Sequence, residues 1–168
     1  ISPTIFGAVF ESTLNPQTRR NGGMHYTSIE NIHKVIDPLF LDELKEEFTQ
    51  IKSIKKSRKL KLEEFQNKLA SLTFLDPACG SGNFLTETYL SLRRLENEVL
   101  KELLQTEGKG STLAGLITDI HQYNLIKVSI SQFYGIEIND FAVNVAKTAL
   151  WIAENQMMKE TENIIHMD

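Results

Sequence analysis

An α/β fold is predicted for this chain of 168 residues, with a mostly helical N-terminal region over residues 1–72 and an α/β unit over 73–168. Two observations predict it. Residues 39–72 carry apolar side chains every three to four positions, the period of an amphipathic helix. From Thr73 onward a short apolar run, a glycine turn, a long amphipathic stretch, a second apolar run and another amphipathic stretch follow in order, which is strand, helix, strand, helix. The hydrophobic fraction of 41% and charged fraction of 24% are those of an ordinary globular domain.

Arg19-Arg20-Asn21-Gly22-Gly23 is a loop signal. Thr27 and Glu30 have the spacing of a capping box, so a helix is expected to start at Thr27, carry Ile29, Ile32 and Ile36 on one face, and end at Asp37-Pro38. Leu39, Leu41, Leu44, Phe48 and Ile51, then Leu62, Phe65, Leu69 and Leu72, mark two further helices. Between them Lys52, Lys55, Lys56, Arg58, Lys59 and Lys61 crowd the segment 52–61. Such a run is a solvated linker in one reading and a phosphate-contacting strip in the other, and the linker is favoured.

Thr73–Asp76 is expected to be a buried parallel strand, broken by Pro77-Ala78-Cys79-Gly80-Ser81-Gly82. A helix from Asn83 to about Gln105 should present Leu85, Thr88, Leu92, Leu95, Val99 and Leu103 to the core, with its charges opposite. Residues 106–112 are a loop, and the period of 113–132 fits strand and helix equally. Gln132–Ile138 is a second core strand with Glu137 near its end. Asp140 is expected to cap a last helix, whose Ala142, Val145, Ala146, Ala149, Ile152 and Ala153 permit close packing on a sheet. The order is that of half a Rossmann-like fold.

Composition narrows the functional classes. Lys plus Arg is 18 against 22 for Asp plus Glu, a formal charge of −4, so nucleic-acid affinity must be local or lie elsewhere. The single cysteine, Cys79, precludes an intrachain disulfide and a Cys-rich zinc site and suits a reducing cytoplasm. No apolar run approaches a membrane span. His25, His33, His121 and His166 lack metal-ligand spacing, so no metal is expected. The chain opens on Ile1 and not on Met, and is expected to be an excerpt of a longer polypeptide.

The chemistry is concentrated in Asp76–Leu85. A strand ending in a carboxylate, a turn with two glycines and a helix start together let backbone approach a ligand and aim free N–H groups at it. A phosphate loop needs Gly-Lys-Ser/Thr, and no Lys follows Gly82. A dinucleotide site needs a third glycine where Leu85 stands and an acid about 20 residues on, whereas Glu137 lies 55 residues beyond Gly82. S-adenosylmethionine carries an ammonium, a sulfonium, a carboxylate and a ribose diol, with no phosphate, and carboxylates at Asp76 and Glu137 suit the ammonium and the diol. Thr27 at a helix N-terminus suits an anion, or is a plain cap. Cys79 has no local His and is expected to be a small wedge in the turn and not a nucleophile. Tyr26, Tyr89 and Trp151 are possible base-stacking residues, with Tyr89 and Trp151 better placed in a core.

These residues resemble a known family. Asp76-Pro77-Ala78-Cys79-Gly80-Ser81-Gly82-Asn83-Phe84-Leu85 is similar to the cofactor-binding motif I of amino-group DNA methyltransferases. Gly135-Ile136-Glu137-Ile138-Asn139 resembles their motif II, and Gly23-Met24-His25-Tyr26-Thr27-Ser28 resembles their motif X. With the long helical spacer and Ala149-Leu150-Trp151-Ile152-Ala153, the pattern looks most like the adenine methyltransferase region of large single-chain restriction–modification enzymes, over about residues 1–160. The resemblance implies a truncated Rossmann-like core that binds S-adenosylmethionine. It places Asp76 at the methionine ammonium, Ala78, Cys79, Gly80, Gly82 and Asn83 in the turn beneath the methionine portion, Glu137 at the ribose, Ile138 on the adenine ring and Thr27 at the carboxylate. It also implies double-stranded DNA as partner of the full-length parent. The family's Asn/Asp-Pro-Pro-aromatic motif, which accepts hydrogen bonds from the target amine and stacks on a flipped base, is absent, since the prolines are Pro3, Pro16, Pro38 and Pro77. These residues alone are therefore expected to be inactive, and an incomplete sheet is expected to promote self-association. An RNA or protein amide methyltransferase, or a noncatalytic scaffold module, is the alternative.

Overall fold

The computed structural model describes residues 27–106 and 125–166, with Pro3, Val9 and Thr13. Helix α1 (Ile29–Ile36) passes through a five-residue π-helical turn (Asp37–Leu41) directly into α2 (Asp42–Ser53), and α3 (Arg58–Ser71) follows. Strand β1 (Phe74–Asp76), helix α4 (Asn83–Thr106), a 3₁₀ turn (Ile130–Gln132), strand β2 (Phe133–Gly135) and helix α5 (Asp140–His166) complete it.

Several expectations are corrected. Helix α1 starts one residue later than the capping box implied: Ser28 is the N-cap, its Oγ accepting the Asn31 N–H at 3.4 Å. Glu30 turns away to pair with Lys34 at 3.0 Å. Asp37-Pro38 does not end the helix. Pro38 stands in the first turn of the π segment, where a missing N–H costs little, and the Asp42 N–H reaches back to the Asp37 carbonyl across the widened turn. The basic segment is mostly helix, with only residues 54–57 between α2 and α3 and Ser57 in the left-handed region at φ 59°. Lys52 lies 4.8 Å from the Phe48 ring centroid, Lys61 pairs with Glu64 at 2.7 Å and Arg58 pairs with Glu102, so much of that charge is engaged within the chain.

Helix α4 is the central element and is buried nearly all round. Its charges do not all face water: Arg93 and Glu96 are both 0% exposed and pair with each other. Arg93 also donates to the Thr161 hydroxyl of α5 at 2.8 Å. Glu96 accepts from Gln66 of α3 at 2.8 Å and from the backbone N–H groups of Lys127 at 2.7 Å and Val128 at 3.2 Å. A carboxylate buried this deeply is tolerated because its lone pairs are filled, and it anchors the chain entering β2. Residues 125–129 are irregular, neither strand nor helix.

Strands β1 and β2 pair in parallel, with Phe74 opposite Phe133, Leu75 opposite Tyr134 and Asp76 opposite Gly135. One face of this small sheet is covered. Phe74 and Phe133 stack at 5.2 Å, and Tyr89 of α4 meets Phe133 edge-on at 5.6 Å. On the other face, among the described residues, Leu75 is 62% and Tyr134 55% exposed, so β1 is not the strand buried on both faces that its composition suggested.

Helix α5 is capped by Asn139 and not by Asp140. The Asn139 Oδ1 accepts the N–H groups of Phe141 and Ala142, both at 3.0 Å. Ala142, Val145, Ala146, Ala149 and Ala153 are buried and Ile152 is half-buried, but Trp151 is exposed, contrary to its expected place in the core. Tyr89 is buried as expected. Among the described residues no helix is long and apolar enough to cross a membrane. The expected loops at 19–23 and 107–112, motif X residues 23–26 with Tyr26, and segment 113–124 lie outside the described residues.

Candidate functional site

The carboxyl ends of β1 and β2 and the turn after β1 form one local structure. Asp76 closes β1, and its Oδ1 accepts the Ala78 N–H at 3.0 Å, shaping the turn at Pro77. The Ile136 N–H donates to the Asp76 carbonyl at 2.9 Å and the Cys79 N–H to the Ile136 carbonyl at 3.0 Å, so the turn continues the parallel pairing past the strands. The Glu137 carboxylate then fastens the turn from below, accepting the Gly80 N–H at 3.0 Å and its own neighbour Asn139 N–H at 2.8 Å. Asp76, Cys79, Gly80 and Glu137, distant in sequence, are thus joined.

Two glycines set the turn's shape for different reasons. Gly80 has φ +53° and nothing within 4 Å of where a Cβ would stand, so it lines open space. Gly82 has φ +79°, and a Cβ there would lie 2.8 Å from the Ala146 Cβ, so it lets the turn seat directly on α5. Gly135 was not singled out in the sequence by itself. A Cβ on it would lie 2.6 Å from the Cys79 Sγ, and only glycine lets β2 pass beneath the turn.

Burial, then the negative charges of Asp76 and Glu137, push the Cys79 thiol up from its usual range. A raised thiol carries less thiolate at neutral pH, and the side chain packs as a wedge between the turn and Gly135 of β2. Asn83 is buried at the start of α4, while Ile138 stands 92% exposed beside Glu137. Thr27 is half-buried and precedes the cap of α1.

Beside β1 lies a groove of about 240 Å³, walled by Val35 and Ile36 of α1 on one side and Phe84 and Thr88 of α4 on the other, with Asp76 also in its lining. The two walls are tied by His33, whose role no local spacing in the sequence signals. Its Nδ1 lies 2.8 Å from Asp37 Oδ1 and its Nε2 3.1 Å from Glu87 Oε1 of α4. The Asp37 hydrogen bond, with help from Glu87, raises the imidazole's pKa above its usual value despite the opposing effect of burial.

A glycine turn is thus bracketed by two carboxylates just past the ends of adjacent parallel strands. Comparison with known proteins gives the class. Residues 51–167 match the family "MmeI, DNA-methyltransferase domain", and the chain belongs to that family, the methyltransferase region of restriction–modification enzymes. It is 44% identical over 167 residues to DNA methyltransferase A of Bacillus subtilis, covering 99% of this chain and 17% of that protein. The solved structure of the type IIL restriction–modification enzyme MmeI in complex with DNA matches with a TM-score of 0.81 at 46% identity, over 97% of this chain and 20% of that one. The chain thus spans about a fifth or less of the length of these relatives.

Proposed function

We propose that this chain is the S-adenosylmethionine-binding part of an adenine-specific DNA methyltransferase of a restriction–modification system, on a Rossmann-like core. The observation that carries the reading is the pair of carboxylates, Asp76 and Glu137, at the ends of paired strands around the open turn at Gly80. The donor set fits this cofactor. It offers carboxylates to an ammonium and a diol. Glu137 already accepts two backbone N–H groups, yet a carboxylate has about four lone-pair sites, leaving room for two hydroxyls. When bound, the cofactor supplies an electrophilic methyl group on a sulfonium.

The chain's own residues bind and orient. Asp76 holds the ammonium, Ala78 through Gly82 present backbone beneath the methionine portion, with Asn83 starting the helix behind them, and Ile138 offers its exposed side chain to the adenine. Thr27 and the first amides of α1 receive the carboxylate, a role that does not need Thr27 to be the cap. Double-stranded DNA as substrate is supported by the MmeI neighbour, whose structure is a DNA complex. A cytoplasmic setting accords with such a substrate. The Asn/Asp-Pro-Pro-aromatic motif is absent from these 168 residues, which are inactive by themselves on this reading. The exposed Leu75 and Tyr134 favour self-association.

Calorimetric titration with S-adenosylmethionine tests the reading, with Asp76→Ala and NAD as controls. Saturable binding, weakened at least about tenfold by loss of a charge-assisted contact and silent with NAD, is expected. Absence of binding by the demonstrably folded protein, or equal binding of NAD, overturns it.

A further inference from the structure

We propose that His33 is a positioning residue for the cofactor, clamping α1 onto α4 in its protonated form and thereby holding the wall of the groove beside Asp76. The inference rests on the cofactor reading above and concerns what holds that site together. Among the described residues, helix α1 is held to α4 by this clamp and by a few apolar contacts. Its buried residues, Ile32 and Ile36, join Leu41 in a small apolar cluster that meets the main core through Phe40 and touches α4 through Phe84. The clamp spans the same two elements that wall the groove, because His33 and Val35 stand on α1 and Glu87 and Thr88 on α4.

The charges around the imidazole favour the clamp. Asp37, on the π turn, and Glu87, on α4, both face it. Arg94 of α4, more than half exposed, sits 3.4 Å from the same Glu87 oxygen. Lys34 and Glu30, on α1 itself, pair with each other. Two acceptors on one ring need both ring nitrogens to donate, which only the imidazolium does. A neutral ring satisfies one carboxylate and presents a lone pair to the other. The raised pKa accords with this. The sign follows: clamping is complete below the unfolded value of about 6.5 and is lost as pH rises through the higher folded value.

By reciprocity, a cofactor that prefers the clamped state must raise the His33 pKa when it binds. The test is an NMR titration of ¹³C-labelled histidines in the full-length enzyme, with and without saturating S-adenosylmethionine, beside calorimetry from pH 5.5 to 9 on wild type and His33→Gln. An upward shift of the His33 titration with cofactor is expected, together with an affinity that falls about three- to tenfold more steeply with pH in wild type than in the variant. An unshifted His33 titration, or superimposable pH profiles with binding intact, overturns the clamp and leaves the cofactor reading standing. Absence of binding by folded wild type at every pH overturns both.

Discussion

Replacing Gly82 by alanine separates two costs that coincide at this turn. The backbone there has φ +79°, a region in which a Cβ crowds the following carbonyl at about 1–2 kcal/mol. The new methyl would also lie 2.8 Å from the Ala146 Cβ and 3.1 Å from its Cα. Backbone cannot rotate aside, so α5 must shift, and overpacking of this kind costs about 1–3 kcal/mol. The expected loss is about 2–5 kcal/mol, a large part of a domain's usual stability. Gly80→Ala is the internal control, since φ +53° with nothing within 4 Å carries only the first cost. Urea unfolding of Gly82→Ala, Gly80→Ala, Ala146→Gly and the Gly82→Ala/Ala146→Gly double variant closes a cycle. Ala146→Gly alone loses about 1 kcal/mol of helix propensity, which cancels in the cycle, and the coupling should be about 1–3 kcal/mol in favour of the double variant. Additivity within about 0.5 kcal/mol, or a Gly82→Ala penalty no larger than that of Gly80→Ala, would refute the contact as the reason for this glycine.

Other consequences are equally open to measurement. Glu96→Gln strips the counter-charge from a fully buried Arg93 and should destabilise the domain by about 3–5 kcal/mol in urea; a loss below about 1 kcal/mol would mean the pair is hydrated in solution. The Cys79 thiol, pushed up by burial and by Asp76 and Glu137, should react with iodoacetamide at pH 7.5 at least about tenfold more slowly than free cysteine, and a faster reaction would contradict the wedge role. Self-association through the exposed Leu75 and Tyr134, cross-strand partners, should disappear in the Leu75→Glu/Tyr134→Lys variant; light scattering that finds the unaltered chain monomeric removes that expectation.

The elements that carry chemistry were legible in the sequence because their signals are local. Strand β1, the turn at Pro77–Gly82, the start of α4 at Asn83 and the strand before Glu137 each follow from a short run of apolar residues meeting proline, glycine or a cap. Helix ends were less legible. Neighbouring candidates compete for one cap, so Ser28 took the place expected of Thr27 and Asn139 that of Asp140. Pro38 predicts a break from its own ring, but whether the chain stops or only widens its turn depends on what Leu41 and Phe40 pack against.

By itself the sequence determined the order of elements, the glycine turn and the two carboxylates, since residue type and spacing dictate backbone preference over a few positions. Tertiary structure alone decided which polar residues are buried. Arg93 and Glu96 look solvent-facing by periodicity, yet α3, α5 and the chain at Lys127–Val128 close around them and hydrogen-bond the Glu96 carboxylate and one terminal nitrogen of Arg93. The Glu137 carboxylate joins the Gly80 amide, Gly135 passes beneath Cys79, and His33 meets Glu87 only because parallel pairing and helix packing bring distant segments together. Contacts of that kind are set by the summed geometry of the packed elements, and no local spacing encodes them.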